Sequence, residues 1–360
     1  MNGLPRDQSK FIKPWLWRNP PEYRSQYLAP LIFVRGFFSI PDTMIKVENL
    51  TRTFGAKRAV DGISFSVKRG EVLGFLGPNG AGKSTTMRMI TGFLPPTSGK
   101  AWVGGFDVAE QPIPAKRLMG YLPENAPVYT DMTVHGFLDF AAAIRGLRGD
   151  AKRAAIARAV ELCYLTSVLH QNVDTLSKGY RHRACFAQSI LHDPDVLVLD
   201  EPTDGLDPNQ KHEIRQLIRK MGETKAIIFS THILEEVDAV CSRALIIDRG
   251  RIVANGTPAE LRRQSEWAGA VTLRIHGVTA ASIQEKLCAL RSAKRVETAL
   301  SDGRVTVTVY PRTAGDAELT RDVLAAASGW QVEGLRTEEG RLDEVFRSLT
   351  RPDTIGRETR

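Results

Sequence analysis

The stretch Gly77-Pro78-Asn79-Gly80-Ala81-Gly82-Lys83-Ser84-Thr85 constrains the fold more than any other part of this chain. It fits G-x-x-x-x-G-K-[ST], the pattern of a phosphate-binding loop. Gly77, Gly80 and Gly82 let the backbone curl until successive N–H groups converge on phosphate oxygens. The Lys83 ammonium offers a point charge to the β- and γ-phosphates, and the Ser84 hydroxyl a ligand to Mg²⁺. The flanks agree. Glu71-Val72-Leu73-Gly74-Phe75-Leu76 reads as a buried strand feeding the loop. Thr85-Thr86-Met87-Arg88-Met89-Ile90 reads as the first turns of a helix, whose N-terminal end favours anions. A glycine-rich turn with a chance lysine would not bring this strand, loop and helix in order.

The segments around the loop read as an α/β core. Ile45–Leu50, Ala59-Val60 and Ile63–Val67 alternate like half-exposed strands, with Phe54-Gly55 between them. Lys100–Val103 is a strand after the Pro95–Gly99 turn, and Gly120–Leu122 a short one ending at Pro123-Glu124. From Thr133 to Val173 the period turns helical, with a break at Arg145–Asp150. This predicts a helical subdomain at about 128–175 inserted into the core. Leu176-Ser177-Lys178-Gly179-Tyr180 precedes a helix over Arg181–His192. Asp195–Glu201 is an apolar strand ending in paired carboxylates, Asp200 and Glu201, followed by a loop to Pro208 and a helix over Gln210–Met221. Ala226–His232 is another buried strand, ending in a histidine, and Leu245–Val253 a closing hairpin.

The pattern changes near Gln264. Strands at 271–275, 296–300, 304–309 and 330–335, with helices at 282–290 and 318–327, follow the order β-α-β-β-α-β of a ferredoxin-like module. The expected division is a basic, poorly ordered extension over 1–43, a nucleotide-binding domain over 44–263, a small α+β domain over 264–350 and a frayed tail over 351–360. The extension holds Trp15 and Trp17 among prolines and cations. It reads either as a foot on a membrane interface or, the plainer reading, as a leader before a natural start at Met44. Cys163, Cys185, Cys241 and Cys288 are scattered and form no C-x-x-C pair. That argues against a disulfide framework or structural zinc and fits a reducing compartment. The net charge of +8 permits an anionic partner without demanding one. The most apolar run, Leu28–Ile40, contains Pro30 and Arg35 and falls short of the roughly 20 residues that span a bilayer.

Each later motif has an ordinary reading alone: carboxylates after a strand can cap a helix, and so can Ser177. Their joint order over about 44–261 resembles the ATP-binding subunits of ATP-binding cassette (ABC) transporters. Within that family, Gly120–Pro127, Leu176–Tyr180 and the closing Leu342-Asp343-Glu344-Val345-Phe346 resemble the gliding-motility and nitrous-oxide-maturation type, which pairs with separate ABC-2-type membrane permeases. The resemblance implies ATP and Mg²⁺ as ligands. It implies that Phe54 stacks on adenine, that residues 77–85 form the Walker A loop, and that Glu124 stands in the Q-loop, where glutamine is usual and where a carboxylate can still bind Mg²⁺ or its water. Ser177 and Gly179 would bind the γ-phosphate of ATP held by a second copy of the chain. Asp200 would hold Mg²⁺ and Glu201 act as general base. Asp207 falls in the D-loop and His232 is the switch histidine. Tyr180 replaces the usual signature glutamine.

The resemblance also implies an ATPase peripheral on the cytoplasmic side of the inner membrane, working as a head-to-tail dimer on a permease. An ATPase acting on ribosomes or nucleic acid is the alternative. It is disfavoured by a single phosphate loop and by the lack of an aromatic-basic array. A degenerate cassette serving only as a sensor conflicts with intact Lys83, Asp200, Glu201 and His232.

Overall fold

A computed structural model describes residues 42–125, 127–301, 303–313 and 317–350. The tail expected over 351–360 and nearly all of the extension expected over 1–43 lie outside the described residues. The elements below all belong to the unit that begins at Thr43. β1 (Thr43–Phe54) and β2 (Lys57–Lys68) form an antiparallel hairpin, which β4 (Ser98–Val103) and β5 (Phe106–Asp107) extend to the order β2-β1-β4-β5. The sequence pattern divides β2 at Asp61-Gly62, yet the strand is continuous. Register shifts against β1, between Val47 and Leu50 and between Leu50 and Arg52, absorb the interruption.

The central sheet runs β10-β9-β3-β8-β7-β6. Its strands are β3 (Val72–Leu76), β6 (Met119–Leu122), β7 (Val196–Asp200), β8 (Ala226–Thr231), β9 (Arg243–Asp248) and the antiparallel edge strand β10 (Arg251–Gly256). The others pair in parallel. Strands covered on both faces need apolar residues at every position, which is why these segments read as unbroken runs. The two-residue period still sorts them. Val196 and Val198 join Leu73, Phe75 and Ile228 in the core beneath β1 and β2, and Leu197 and Leu199 join Ile227 and Phe229 against the helices. Register puts Leu76 beside Thr231 and Asp200 beside Ser230. The loops that follow these strands therefore leave from one edge of the sheet, where ligands bind in open α/β folds.

The helices of this part are α1 (Lys83–Ile90), α2 (Pro112–Arg117), α3 (Val134–Ile144), α4 (Gly149–Leu162), α5 (Lys178–Ile190), α6 (Pro208–Gly222), α7 (Leu234–Val240) and α8 (Pro258–Arg262). The break between α3 and α4 falls where the sequence placed it. Thr133 caps α3 by accepting from Gly136 N. α2, α7 and α8 are too short to show a period, and the Pro112-Ile113-Pro114 start of α2 reads as a breaker although proline suits a first helical turn.

β11 (Val271–His276), α9 (Ala280–Cys288), β12 (Ala293–Ser301), β13 (Arg304–Pro311), α10 (Ala317–Ala326) and β14 (Gln331–Thr337) follow in the expected ferredoxin-like order. Their antiparallel sheet runs β12-β13-β11-β14 around a core of its own. The last helix, α11 (Leu342–Leu349), does not pack with them. Its Leu342, Phe346 and Leu349 lie against Leu76, Val237, Ala244, Ile246 and Leu261 of the nucleotide-binding part. The chain turns back at Gly340, which has φ +95° and where a Cβ would stand 2.2 Å from Arg262 O.

Candidate active site

The phosphate loop is shaped by close backbone packing. At Gly77 a Cβ would lie 2.5 Å from Ile247 O. Gly82 caps α1 with φ 110°, and there a Cβ would meet Ala59 O at 2.5 Å. No side chain caps α1, so its leading N–H groups point to an outside acceptor. Lys83 is buried, and its Nζ donates to Gly77 O (2.8 Å) and Pro78 O (3.3 Å). The same ammonium lies 3.5 Å from Glu201 Oε1.

The end of β7 meets this loop. Asp200 is wholly buried, and its Oδ1 accepts from Ser84 Oγ (3.2 Å) and Ser230 Oγ (2.5 Å). Its Oδ2 is buried with no hydrogen-bond donor. Glu201 follows with φ +52°, a backbone state unusual for a non-glycine residue. Its N–H donates to Ser230 Oγ (3.0 Å), and its Oε2 lies 2.9 Å from His232 Nδ1. Burial raises the Glu201 pKa above the usual 4.5, against the opposing pull of Lys83 and His232. Ser230 therefore holds the Asp200 carboxylate and the Glu201 backbone N–H from the neighbouring strand. Sequence reasoning missed it, although a serine inside an otherwise apolar buried strand is the signal that could have marked it.

A cleft of about 410 Å³ gathers Phe54, Asn79, Gly80, Gly82, Lys83, Ser84, Thr85, Glu124 and Glu201. Pro78 and Ala81 line the adjoining cavity. Phe54 is 47% exposed, and the Arg52 guanidinium sits 4.6 Å from its ring centroid. Ser177 and Gly179 do not line this cleft. Ser177 caps α5, accepting from Tyr180 N (3.3 Å), and Gly179 packs against Leu206 and Gln210. Asp207 caps α6, accepting from Gln210 N (2.9 Å).

These residues fit a nucleotide with Mg²⁺. A polyphosphate suits the uncapped helix end and Lys83. The carboxylates of Asp200, Glu201 and Glu124 would repel it unless a divalent cation came with it. The undonated Asp200 Oδ2 beside Ser84 is the group such a cation or its water needs.

Residues 60–204 match the family described as "ABC transporter". The linearmycin resistance ATP-binding protein LnrL of Bacillus subtilis (strain 168) is 33% identical, over 85% of this chain and 98% of its own. The chain belongs to the ATP-binding subunits of ABC transporters. The Nod factor export ATP-binding protein I of Burkholderia orbicola (strain AU 1054) is 37% identical to this ATP-binding subunit, over 70% of this chain and 82% of its own. A solved ATP-binding subunit of an ABC transporter superposes with a TM-score of 0.58 at 30% identity, over 62% of this chain and 93% of that one. As a member, the subunit is an ABC ATPase with the α/β P-loop cassette fold. Among its described residues, no helix is long and apolar enough to cross a membrane.

Proposed function

We propose that this ATP-binding subunit drives an ABC-2-type export permease through ATP-dependent pairing of two of its copies. The observation that carries the reading is a division of labour within one chain. The cleft gathers the phosphate loop, Glu124 and Glu201, whereas Ser177 and Gly179 stand outside it. A site that needs Ser177 and Gly179 must then take them from a second copy arranged head to tail. The functions of the two relatives, linearmycin resistance and Nod factor export, favour export. The functional parts are the cassette over 44–263, with its helical subdomain at about 128–175, and the α+β module that follows. The complex would sit on the cytoplasmic face of the membrane.

Each residue then has a task. Phe54 stacks on the base, and residues 77–85 wrap the phosphates, Lys83 turning its ammonium from the loop carbonyls to phosphate oxygens. Ser84 and Asp200 would hold Mg²⁺, with Glu124 a further carboxylate on the cleft wall; the bound ion neutralises charge on the phosphates. Glu201 takes the proton of the attacking water as a P–O bond to γ-phosphorus forms and the bond to the β-phosphate oxygen breaks, leaving ADP and phosphate. His232 steadies Glu201 through the 2.9 Å contact.

Glu201→Gln should bind ATP, lose turnover by at least about a hundredfold and accumulate as a dimer in Mg-ATP, read by light scattering. Near-normal hydrolysis would remove Glu201 as the base. Recovery of the tagged variant from solubilised cells tests the partner: a polytopic membrane protein is expected. Ribosomal proteins or nucleic acid without one would overturn the transporter assignment.

A further inference from the structure

Glu236 on α7 has a side chain with no solvent exposure, and no task above uses it. A carboxylate shut away from water costs several kcal/mol unless it is well partnered, so its partners show what it is for. They come from three separate segments. Thr203 Oγ1, in the loop just past Glu201, donates to Glu236 Oε1 through a short hydrogen bond. Thr231 Oγ1, at the end of β8 and next to His232, donates to Oε2 at 2.6 Å. The Arg215 guanidinium, on α6, lies 3.2 Å from Oε1. Thr231 Oγ1 also accepts from Ile233 N at 3.0 Å, on the other side of His232. Both threonines are buried. One carboxylate thus ties the loop that follows the base to the turn that carries the histidine.

We infer that Glu236 is a positioning residue for hydrolysis: it fixes the loop of Glu201 and the turn of His232 in one frame, so that their 2.9 Å contact is kept. The inference rests on the proposed roles of that pair. Glu236 is no part of the nucleotide cleft. Its loss should therefore slow turnover and leave nucleotide binding alone. Small misplacements of a reacting group carry large rate penalties, whereas binding by the loop and α1 draws on other contacts.

The test is single-turnover ATPase of the full chain, with long incubations, for wild type, Glu236→Gln, His232→Ala, the double variant, Thr203→Val, Thr231→Val and Glu201→Gln. It is run beside KM and binding of a fluorescent ATP analogue. Glu236→Gln should lower kcat at least about tenfold with KM and analogue affinity unchanged. In the His232→Ala background the same change should add less than about a twofold loss, since residues acting as one unit are not additive. Each threonine variant should lower kcat by less, in the same direction. Wild-type kcat in Glu236→Gln, an undiminished loss on top of His232→Ala, or KM rising in step would overturn the inference. If Glu236→Gln does not fold, the threonine variants decide, and wild-type rates in both overturn it. Glu201→Gln separates the two readings. Normal turnover there defeats the base assignment, whereas a dead Glu201→Gln beside a normal Glu236→Gln defeats only the role of Glu236.

Discussion

Glu201 stands in a position that opposes stability in two ways. Its φ of +52° costs an L-residue roughly 1–2 kcal/mol, and its carboxylate is buried enough to raise its pKa. The sign of the second effect can be followed. The folded pKa lies above the unfolded one, so the folded chain holds the proton more tightly. The stability this contributes is present at low pH and lost as pH rises through the folded value. At neutral pH the ionised group therefore weighs against folding, and Glu201→Gln should melt at a higher temperature than wild type at pH 7.5. The gap should shrink as pH falls toward the carboxylate range. A lower melting temperature for the variant at pH 7.5 would mean that attraction to Lys83 and His232 outweighs burial. The same shift predicts that the acid limb of kcat/KM, which reports the free enzyme, lies above the ordinary glutamate value of 4.5, read from a pH–rate profile.

Asp207 shows how an element can serve a catalytic region through ordinary helix chemistry. It was placed in the D-loop by resemblance, and in the structure its carboxylate caps α6. Asp207→Ala should cost about 1 kcal/mol of stability, measured by urea denaturation. A cost near zero would mean that the cap is dispensable and any effect on turnover has another origin. At this scale the sequence told most about long periodic or wholly apolar segments: α3, α4, β7 and β8 were each legible because burial leaves one residue class at each position. Glu124, Lys83, Asp200 and His232 were legible because they adjoin such segments in a known order. Ser230 and Glu236 were not. Each serves partners distant in the chain, such as Asp200 for Ser230 and Thr203 for Glu236, and only the strand register and the seat of α7 bring them together. The seat of the last helix was not legible for a similar reason. Its apolar stripe shows that it packs, but not on what.

Across the whole molecule, acid sensitivity should come from histidines that do not line the nucleotide cleft. Burial pushes His182 and His192 down to about 4. His182 Nε2 and His192 Nδ1 are buried without partners, so a proton there has nowhere to be shared. Their folded pKa values lie below the unfolded 6.5, so the unfolded chain takes up protons first as pH drops. Stability should fall between about pH 6.5 and 4, by about 1.4 kcal/mol per pH unit for each histidine. His182→Gln should flatten the fall, and urea midpoints at pH 7 and pH 5 would show it; equal slopes would remove His182 from the account. The return of α11 to the floor beneath the phosphate loop sets a different limit, one of time. Leu76 and Leu342 share a core but stand at opposite ends of the described chain. At roughly 5–20 residues per second, a ribosome leaves Leu76 waiting on the order of 10–50 s for its cover. A growing chain must therefore keep that apolar strand end from other partners until Leu342 has been made.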